Sequence, residues 1–245
     1  MKVEIKRDGL ILRGDLELPD HKEYDIVILM HGFTGERNSD ILLAVKDLLL
    51  KNGVASLRVD FNGHGQSDGL LEDMTVLNEL ADAKAILDYV RSLEHIKDIY
   101  ILGHSQGGVI ASMMAGYYPE IFKKVVLMAP AATLKDDAIK GVCMDAVYDP
   151  HAIPDKVNVR GDIIGGFYFR IAQTLPIYEI SSLYKGPVLM IHGDHDTTVD
   201  VIASKRYHDI CENSMLFIQK DADHRFLAPY TQEAAQAAVD FIIEK

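Results

Sequence analysis

The chain is predicted to fold as an α/β domain in which a mainly parallel β-sheet is covered by helices on both faces. Short apolar runs of strand length alternate along the sequence with longer segments of helical periodicity. The apolar runs, such as residues 26–30 and 188–191, are continuous, as strands buried on both faces require. With 245 residues, 48% of them apolar, and no linker or repeat, we expect a single domain over residues 1–245.

The first half of the chain carries clear hairpin and helix signals. Residues 3–18 alternate between apolar and polar side chains around a turn at Asp8 and Gly9, which predicts an antiparallel hairpin at a sheet edge. Gly53 is expected to end one helix and Thr75 to cap the next. The predicted elements after the hairpin are a strand at 26–30, a helix at 40–51, a strand at 54–59 and a helix at 75–93 with an apolar stripe of Leu77, Leu80, Ala83, Ile86, Leu87 and Val90.

The second half keeps the same alternation after one long interruption. Residues 131–175 carry prolines, glycines and an aromatic cluster, and such a stretch inside a regular α/β pattern is more typical of a functional insertion than of a loop. We interpret it as a cap over the site; the alternative is an extra surface hairpin or helix pair used for contacts in an oligomer, for which a homodimer is one expectation. The remaining predicted elements are strands ending at 102 and spanning 125–128, 188–191 and 215–218, and helices ending at 117 and spanning 202–210 and 231–243.

The charge balance and the cysteines narrow the functional classes. Lys and Arg number 25 against 37 Asp and Glu, a net charge of −12, which disfavours nucleic-acid and membrane partners. Residues 1–7 show no signal-peptide pattern, so we expect a cytoplasmic protein. Cys143 and Cys211 lack metal-ligand or redox spacing and are expected to be reduced, although a bridge between them stays open.

A Gly-x-Ser-x-Gly pentapeptide at residues 103–107 is the strongest functional signal. It stands between a predicted strand and a predicted helix, the setting of a nucleophile elbow, in which a tight turn presents the serine to the active site. Ser105 is therefore the candidate nucleophile. The alternative is a glycine-rich turn with an incidental serine.

A serine hydroxyl needs a general base and a carboxylate that orients the base. In hydrolases of this kind the chain order is serine, acid, histidine, with both partners in loops after strands. His224 follows the last predicted strand and is the candidate base, and Asp196 follows the preceding strand and is the candidate acid. Asp194 and, less favoured, Asp200 are the alternatives for the acid.

Two backbone N–H groups should bind the oxygen that becomes negative during ester cleavage. Gln106 follows the nucleophile, and Phe33 lies in the glycine-containing turn after an early strand, so these two residues are expected to form the oxyanion hole. The glycine-rich residues 62–69 match neither a P-loop nor a dinucleotide motif and are expected to form a wall of the site.

Taken together, these stretches resemble the α/β-hydrolases and, more narrowly, the bacterial cinnamoyl (feruloyl) esterases. The resemblance rests on HGFT (31–34), DFNGHG (60–65), MTVLNE (74–79), GHSQGG (103–108), APAATLK (129–135), GGFYFRIAQ (165–173), LPIYE (175–179), the Asp196 loop and ADH (222–224). It implies an α/β-hydrolase fold with a mainly parallel eight-stranded sheet and an inserted cap at about 131–175. It also implies hydrolysis of hydroxycinnamoyl esters such as those of ferulate, p-coumarate, caffeate and the chlorogenate type.

The same resemblance implies that Asp137 and Tyr168 meet the ring hydroxyls of a planar acyl group. Their alternative interpretations are a helix-start aspartate and a packing tyrosine. Met144 stands where a polar contact is expected, and the chain has no tryptophan. A preference for an acyl group other than ferulate is therefore an alternative.

We therefore expect a serine esterase that acts on a small-molecule ester through an acyl-enzyme, with no metal or organic cofactor. A general short-chain carboxylesterase or a monoacylglycerol lipase is the main alternative, because it would use the same triad. A serine peptidase and a non-catalytic binding protein of the same fold are less favoured.

Overall fold

The computed structural model describes residues 1–244. Its first elements are β1 (Lys2–Arg7), β2 (Leu10–Glu17), β3 (Tyr24–Met30), α1 (Asp40–Lys51), β4 (Ala55–Val59), α2 (Val76–Ser92), β5 (Ile96–His104), α3 (Gln106–Tyr117) and β6 (Phe122–Met128). The elements that follow are α4 (Leu134–Lys140), β7 (Val142–Cys143), β8 (Ala146–Val147), β9 (Lys156–Val159), β10 (Asp162–Gly165), α5 (Gly166–Ala172), α6 (Ile177–Ser181), β11 (Val188–Gly193), α7 (Ile202–Ile210), β12 (Ser214–Gln219) and α8 (Thr231–Ile243).

Eight strands form one sheet in the order β1-β2-β4-β3-β5-β6-β11-β12. The hairpin β1-β2 is antiparallel and lies at one edge, and the six strands from β4 to β12 pair in parallel. The prediction of a mainly parallel eight-stranded sheet with an edge hairpin is confirmed. Parallel strands place their carboxyl ends at one edge of the sheet, so the loops after β3, β5, β11 and β12 meet there.

Helices cover both faces of this sheet and divide the core in two. Apolar side chains of α1 and α8 pack on one face with Leu29, Leu102 and Ile191 of the strands. Those of α2, α3 and α7 pack on the other face with Ile28 and Ile101. The continuous apolar runs of the central strands are buried on both sides, which is the reason for their composition.

Helix α2 departs from its predicted stripe at one position. Thr75 caps it, and its side chain accepts a 3.0 Å hydrogen bond from the Asn78 amide. Leu80, Ala83, Ile86, Leu87 and Val90 are buried as predicted. The prediction for Leu77 is wrong: its side chain is 49% exposed, because Val76, four residues before Leu80, occupies the first inward position of the helix.

Residues 134–181, which we call the insert, contain two small antiparallel hairpins and three short helices. The β7-β8 and β9-β10 pairs do not join the main sheet. Their position in the chain corresponds to the predicted cap at about 131–175, and the single-domain organisation stays a prediction. Both cysteines, Cys143 in the insert and Cys211, are free thiols.

Across residues 1–244, no helix combines the length and the apolar character that a bilayer crossing requires.

Candidate active site

Ser105 lies at the sharp turn between β5 and α3. Its backbone adopts φ 57° and ψ −123°, a conformation that an L-residue takes only under the constraint of its surroundings. The two flanking glycines permit the turn. A β-carbon on Gly103 would lie 2.0 Å from the Gly107 carbonyl oxygen, and one on Gly107 would lie 2.4 Å from the carbonyl oxygens of Met30 and His31. The pentapeptide therefore forms a nucleophile elbow.

The structure brings Ser105, His224 and Asp196 together, although they are far apart in sequence. Nε2 of His224 lies 2.9 Å from Oγ of Ser105, and Nδ1 of His224 lies 2.7 Å from Oδ2 of Asp196. With the proton on Nδ1, His224 donates to the carboxylate and accepts from the serine hydroxyl, which is the tautomer a general base requires.

The Asp196 carboxylate is fully buried and rich in donors. Burial acts to raise its pKa, but hydrogen bonds from His192 and His224 outweigh burial and hold the pKa well below its ordinary value. The amides of Thr198 and Val199 each donate a 2.8 Å hydrogen bond to its Oδ1. Asp196 is therefore held as a carboxylate facing His224.

The two alternative acids have local partners instead. Asp194 is exposed and accepts hydrogen bonds from the Asp221 amide, at 2.6 Å, and the neighbouring His195 ring, at 2.9 Å. Asp200 accepts a 2.9 Å bond from the Ile202 amide at the start of α7. Neither carboxylate contacts His224.

His104 and His192, which the sequence patterns did not single out, both contact the candidate triad. His192 is fully buried, and its Nε2 lies 3.0 Å from Oδ2 of Asp196. Nε2 of His104 lies 2.8 Å from the His224 carbonyl oxygen, and the two rings pack 5.1 Å apart. Burial lowers the pKa of His104 to about 3, so its ring is neutral and donates to that carbonyl. Their position at the ends of β5 and β11 is the only sequence signal for these contacts.

The predicted oxyanion residues lie on both sides of Ser105. A β-carbon on Gly32 would lie 2.7 Å from Cβ of Ser105, so the Phe33 turn passes directly beside the candidate nucleophile. Among residues 1–244, no backbone or side-chain acceptor takes the N–H of Phe33 or Gln106. Both amides are free to bind a ligand oxygen.

Two cavities meet at Ser105. The inner cavity extends from Ser105 between α3 and the insert and holds about 530 Å³ of empty space, its opening included. Most of its lining is apolar or aromatic, and Asp137 is the only charged residue that the described part of the chain contributes to it. The outer cavity contains His224, and the two cavities share Phe33, Ser105, Met144 and Thr198.

Asp137 and Tyr168 both line the inner cavity. Burial raises the pKa of Asp137, whereas a hydrogen bond with Thr133 acts in the opposite direction. The Tyr168 hydroxyl donates a 2.7 Å hydrogen bond to Oε1 of Gln106, and its ring packs 5.4 Å from that of Phe33. The hydroxyl hydrogen of Tyr168 is thus already in use, and only its oxygen remains to accept from a ligand.

Residues 62–69 line neither cavity, so their prediction as a wall of the site is wrong. They enclose the buried Asp60, which accepts 2.8 Å hydrogen bonds from the amides of Gln66 and Arg37 and pairs with the Arg37 guanidinium. A buried carboxylate needs several donors, and Arg37 together with the Gln66 amide of this loop supplies them.

A buried acid that no sequence motif predicted lies behind Gln106. The Gln106 side-chain amide donates a 2.7 Å hydrogen bond to Oε2 of Glu79, which is fully buried in α2. Burial raises the pKa of Glu79 to about 8. The available signal was positional, because Glu79 falls on the same helix face as Ala83 and Ile86, where an apolar residue is expected.

Within residues 1–244, side chains of the types that ligate metals converge at one exposed place. Asp194, His195 and Asp221 present ligand atoms within 4.8 Å of one another. The hydrogen bonds from the His195 ring and the Asp221 amide to Asp194 explain this grouping, which is separate from the hydrogen-bonded Ser105–His224–Asp196 line.

Comparison with known proteins agrees with this geometry. Residues 25–145 match the family model described as the alpha/beta hydrolase fold. The monoacylglycerol lipase ABHD6 of Rattus norvegicus is 32% identical over 265 residues, covering 91% of this chain and 76% of the lipase. The chain belongs to the α/β-hydrolase family.

Other α/β-hydrolases resemble the chain along most of its length. Est1E from Butyrivibrio proteoclasticus, in a structure with bound ferulic acid, has a TM-score of 0.95 and 33% identity, covering 98% of each chain. The mitochondrial palmitoyl-protein thioesterase ABHD10 of Bos taurus is 25% identical, covering 89% of this chain and 73% of the thioesterase. The chain is thus an esterase-like α/β-hydrolase that is similar to enzymes of several ester classes.

Proposed function

We propose that the protein is a serine esterase that cleaves hydroxycinnamoyl esters through an acyl-enzyme intermediate. One observation carries the proposal: the hydrogen-bonded line from Asp196 through His224 to Ser105 ends at a largely apolar cavity, and Asp137 is the one charged residue that lines it among the described residues 1–244. The likeness to Est1E, which binds ferulic acid, supports the acyl group.

The geometry supports a two-step reaction. His224 Nε2 accepts the proton of Ser105, and Oγ attacks the ester carbonyl while the Phe33 and Gln106 amides bind the developing oxyanion. His224 then donates that proton to the leaving alcohol, and the C–O bond to the alcohol breaks. Water enters, gives its proton to His224 and attacks the acyl-enzyme, and Ser105 recovers its proton as the acid leaves.

The lining of the inner cavity is suited to a planar acyl group. Tyr168 and Phe33 provide aromatic walls, and Asp137 can accept a hydrogen bond from a ring hydroxyl. An acyl group that carries a negative charge would be repelled by Asp137 in this partly desolvated cavity. The proposed class is therefore neutral aryl-acrylic acyl groups with a phenolic hydroxyl.

Replacement of the nucleophile tests the reaction type. Ser105→Ala should abolish hydrolysis of methyl ferulate and labelling by a fluorophosphonate probe, with an unchanged circular dichroism spectrum. Ser92→Ala, which alters an exposed serine outside both cavities, is the matched control and should behave like the wild type. Full turnover by Ser105→Ala would refute the proposal.

A monoacylglycerol lipase is the second candidate. The 32% identity to ABHD6 and the largely apolar inner cavity favour it. Comparing kcat/KM for methyl ferulate, methyl p-coumarate, a butyrate ester and a monoacylglycerol separates the two. A monoacylglycerol preferred over both aromatic esters would select the lipase.

A cytoplasmic location is also part of the proposal, supported by the two free thiols. A homodimer remains an expectation that light scattering of the purified protein would test.

A further inference from the structure

We infer that the outer cavity is an anion subsite in which Arg160 and Arg225 bind the alcohol half of the ester, so that esters of carboxylate-bearing alcohols are preferred. This inference rests on the proposed esterase function, because it assigns the two halves of an ester to the two cavities. It selects one kind of alcohol, whereas the proposed function concerns the acyl group.

The position of His224 determines which half of the ester lies where. The histidine must deliver its proton to the leaving oxygen, so the alcohol leaves on the side that His224 faces. His224 lines the outer cavity and not the inner one, and Gln106 lines only the inner cavity. The acyl group therefore occupies the inner cavity and the alcohol the outer cavity.

The charges of the outer cavity are all of one sign. Among residues 1–244, Arg160 and Arg225 are the only residues with a permanent charge that line it, and no Asp or Glu of this part of the chain does so. Burial lowers the pKa values of the other two lining histidines, His31 and His104, to about 3, so both are neutral. The chain as a whole carries a net charge of −12, so the positive charge of this cavity has the opposite sign to that of the chain.

Neither guanidinium is neutralised by its surroundings. Within residues 1–244, no carboxylate oxygen lies within 4.0 Å of the Arg160 or Arg225 side chain, and neither side chain makes a hydrogen bond to protein. Asp145 is near, but its Oδ1 accepts from the Arg160 backbone amide at 2.9 Å. Asp223 likewise binds the Leu227 amide at 2.9 Å. Both guanidinium groups are available to a ligand.

Both arginines are attached to anchored backbone on different elements. Arg160 stands at the turn between β9 and β10 with φ 52°, held by the bond from its amide to Asp145. Arg225 lies between His224 and the fully buried Phe226. The cavity thus receives one cation from the insert and one from the loop of the general base, and guanidinium groups pair well with carboxylates.

The two cavities have opposite electrostatic character. Asp137 repels an anionic acyl group from the inner cavity, whereas Arg160 and Arg225 attract an anion to the outer cavity. The preferred substrate is therefore an ester of a neutral acyl group with a hydroxy acid. The reverse orientation would place a carboxylate beside Asp137.

A pair of substrates that differ only in this charge tests the inference. Chlorogenate has a free carboxylate on its alcohol half, and its methyl ester lacks that charge. We expect wild-type kcat/KM to be higher for chlorogenate, and the ratio between the two substrates to fall about threefold in Arg160→Gln or Arg225→Gln and about tenfold in the double variant. The wild-type ratio should also decrease as NaCl rises from 20 to 500 mM.

Arg91→Gln is the charge-matched control, since Arg91 is exposed at the end of α2 and lines neither cavity. It should keep the wild-type ratio. A wild-type ratio near one, or a preference that survives in the double variant, would overturn the anion subsite while hydrolysis of both esters still supports the esterase. If wild type cleaves neither these esters nor methyl ferulate, the proposed function fails and the inference with it.

Discussion

Gln106 and Glu79 are joined by a 2.7 Å hydrogen bond directly behind the nucleophile elbow. The same Gln106 side chain accepts a 2.7 Å bond from the Tyr168 hydroxyl, so α2, α3 and the insert are linked through one glutamine. The backbone N–H of Gln106 is proposed to bind the oxyanion. The two hydrogen bonds to its side chain therefore orient this residue from the side away from Ser105. The other carboxyl oxygen of Glu79 is buried and has no hydrogen-bond partner among residues 1–244.

The first prediction concerns the pH dependence of stability. Burial raises the pKa of Glu79 from its ordinary value of 4.5 to about 8, so between these pH values the folded state binds one more proton than the unfolded state. The contribution of Glu79 to the free energy of unfolding therefore falls as pH rises from about 4.5 to about 8, and is level above that. Glu79→Gln removes this pH-dependent contribution. The free energy of unfolding of the variant relative to wild type should therefore change by on the order of a few kcal/mol between about pH 4.5 and about pH 8.

Urea unfolding of wild type and Glu79→Gln at pH 5, 6.5, 8 and 9 measures this pH dependence of the free energy of unfolding. Glu79→Gln should become more stable relative to wild type as pH rises. Glu120→Gln, at an exposed position, should run parallel to wild type. Parallel curves for Glu79→Gln as well would show that Glu79 titrates normally.

The second prediction separates two roles of Tyr168. Tyr168→Phe leaves Oε1 of Gln106 without its donor in a buried position, which should cost about 1–3 kcal/mol of stability. If Tyr168 orients Gln106, kcat falls by a similar factor for methyl ferulate and for a butyrate ester. If instead it contacts the ring hydroxyl, only the hydroxylated substrate is affected, mainly in KM.

The third prediction concerns Asp137. Asp137→Asn should lower kcat/KM for methyl p-coumarate about tenfold, because a charge-assisted hydrogen bond to the ring hydroxyl is weakened. Methyl cinnamate, which lacks the hydroxyl, should change far less. Equal losses on both esters would indicate that Asp137 supports the structure of α4 and does not contact the ring.

The fourth prediction concerns His192. His192→Leu removes a hydrogen-bond donor from the buried Asp196 carboxylate. The lowered pKa of Asp196 stabilises the folded state above about pH 4, and this contribution to the free energy of unfolding is lost as the pH falls. At pH 7 the variant should be about 1–3 kcal/mol less stable than wild type, and the difference should shrink at pH 3.5. His192→Gln, which restores a donor, should recover part of the stability and of kcat. A constant difference at all pH values would contradict the role.

The fold was predictable because its signals are local. Thr75 caps α2, α1 spans the predicted residues 40–51, and the apolar run at 188–191 is a strand buried on both faces. Periodicity and capping depend on neighbours in sequence, so they can be read without knowing the topology. The prediction that Leu77 is buried was wrong for a related reason. Val76 and Leu77 are adjacent apolar residues that give two nearly equivalent apolar stripes, and only packing selects one of them.

The candidate triad was predictable from the order of motifs. Ser105, Asp196 and His224 each follow a strand, and the parallel sheet brings the ends of those strands to one edge. The structure shows them hydrogen-bonded, and their catalytic role stays a proposal. The glycine-rich residues 62–69 were misinterpreted because glycines that allow a loop to wrap around a buried aspartate resemble those that line a site.

The sequence by itself determined the α/β class, the elbow at Ser105 and the choice of His224 and Asp196, since each depends on short patterns and on chain order. Only the tertiary structure decided that Glu79 lies behind Gln106, that His192 shares the Asp196 carboxylate and that Arg160 and Arg225 line one cavity. The physical reason is that burial, charge and hydrogen bonding depend on how the loops, the insert and the helices pack, and no short sequence pattern records contacts such as those of Gln106 with Glu79.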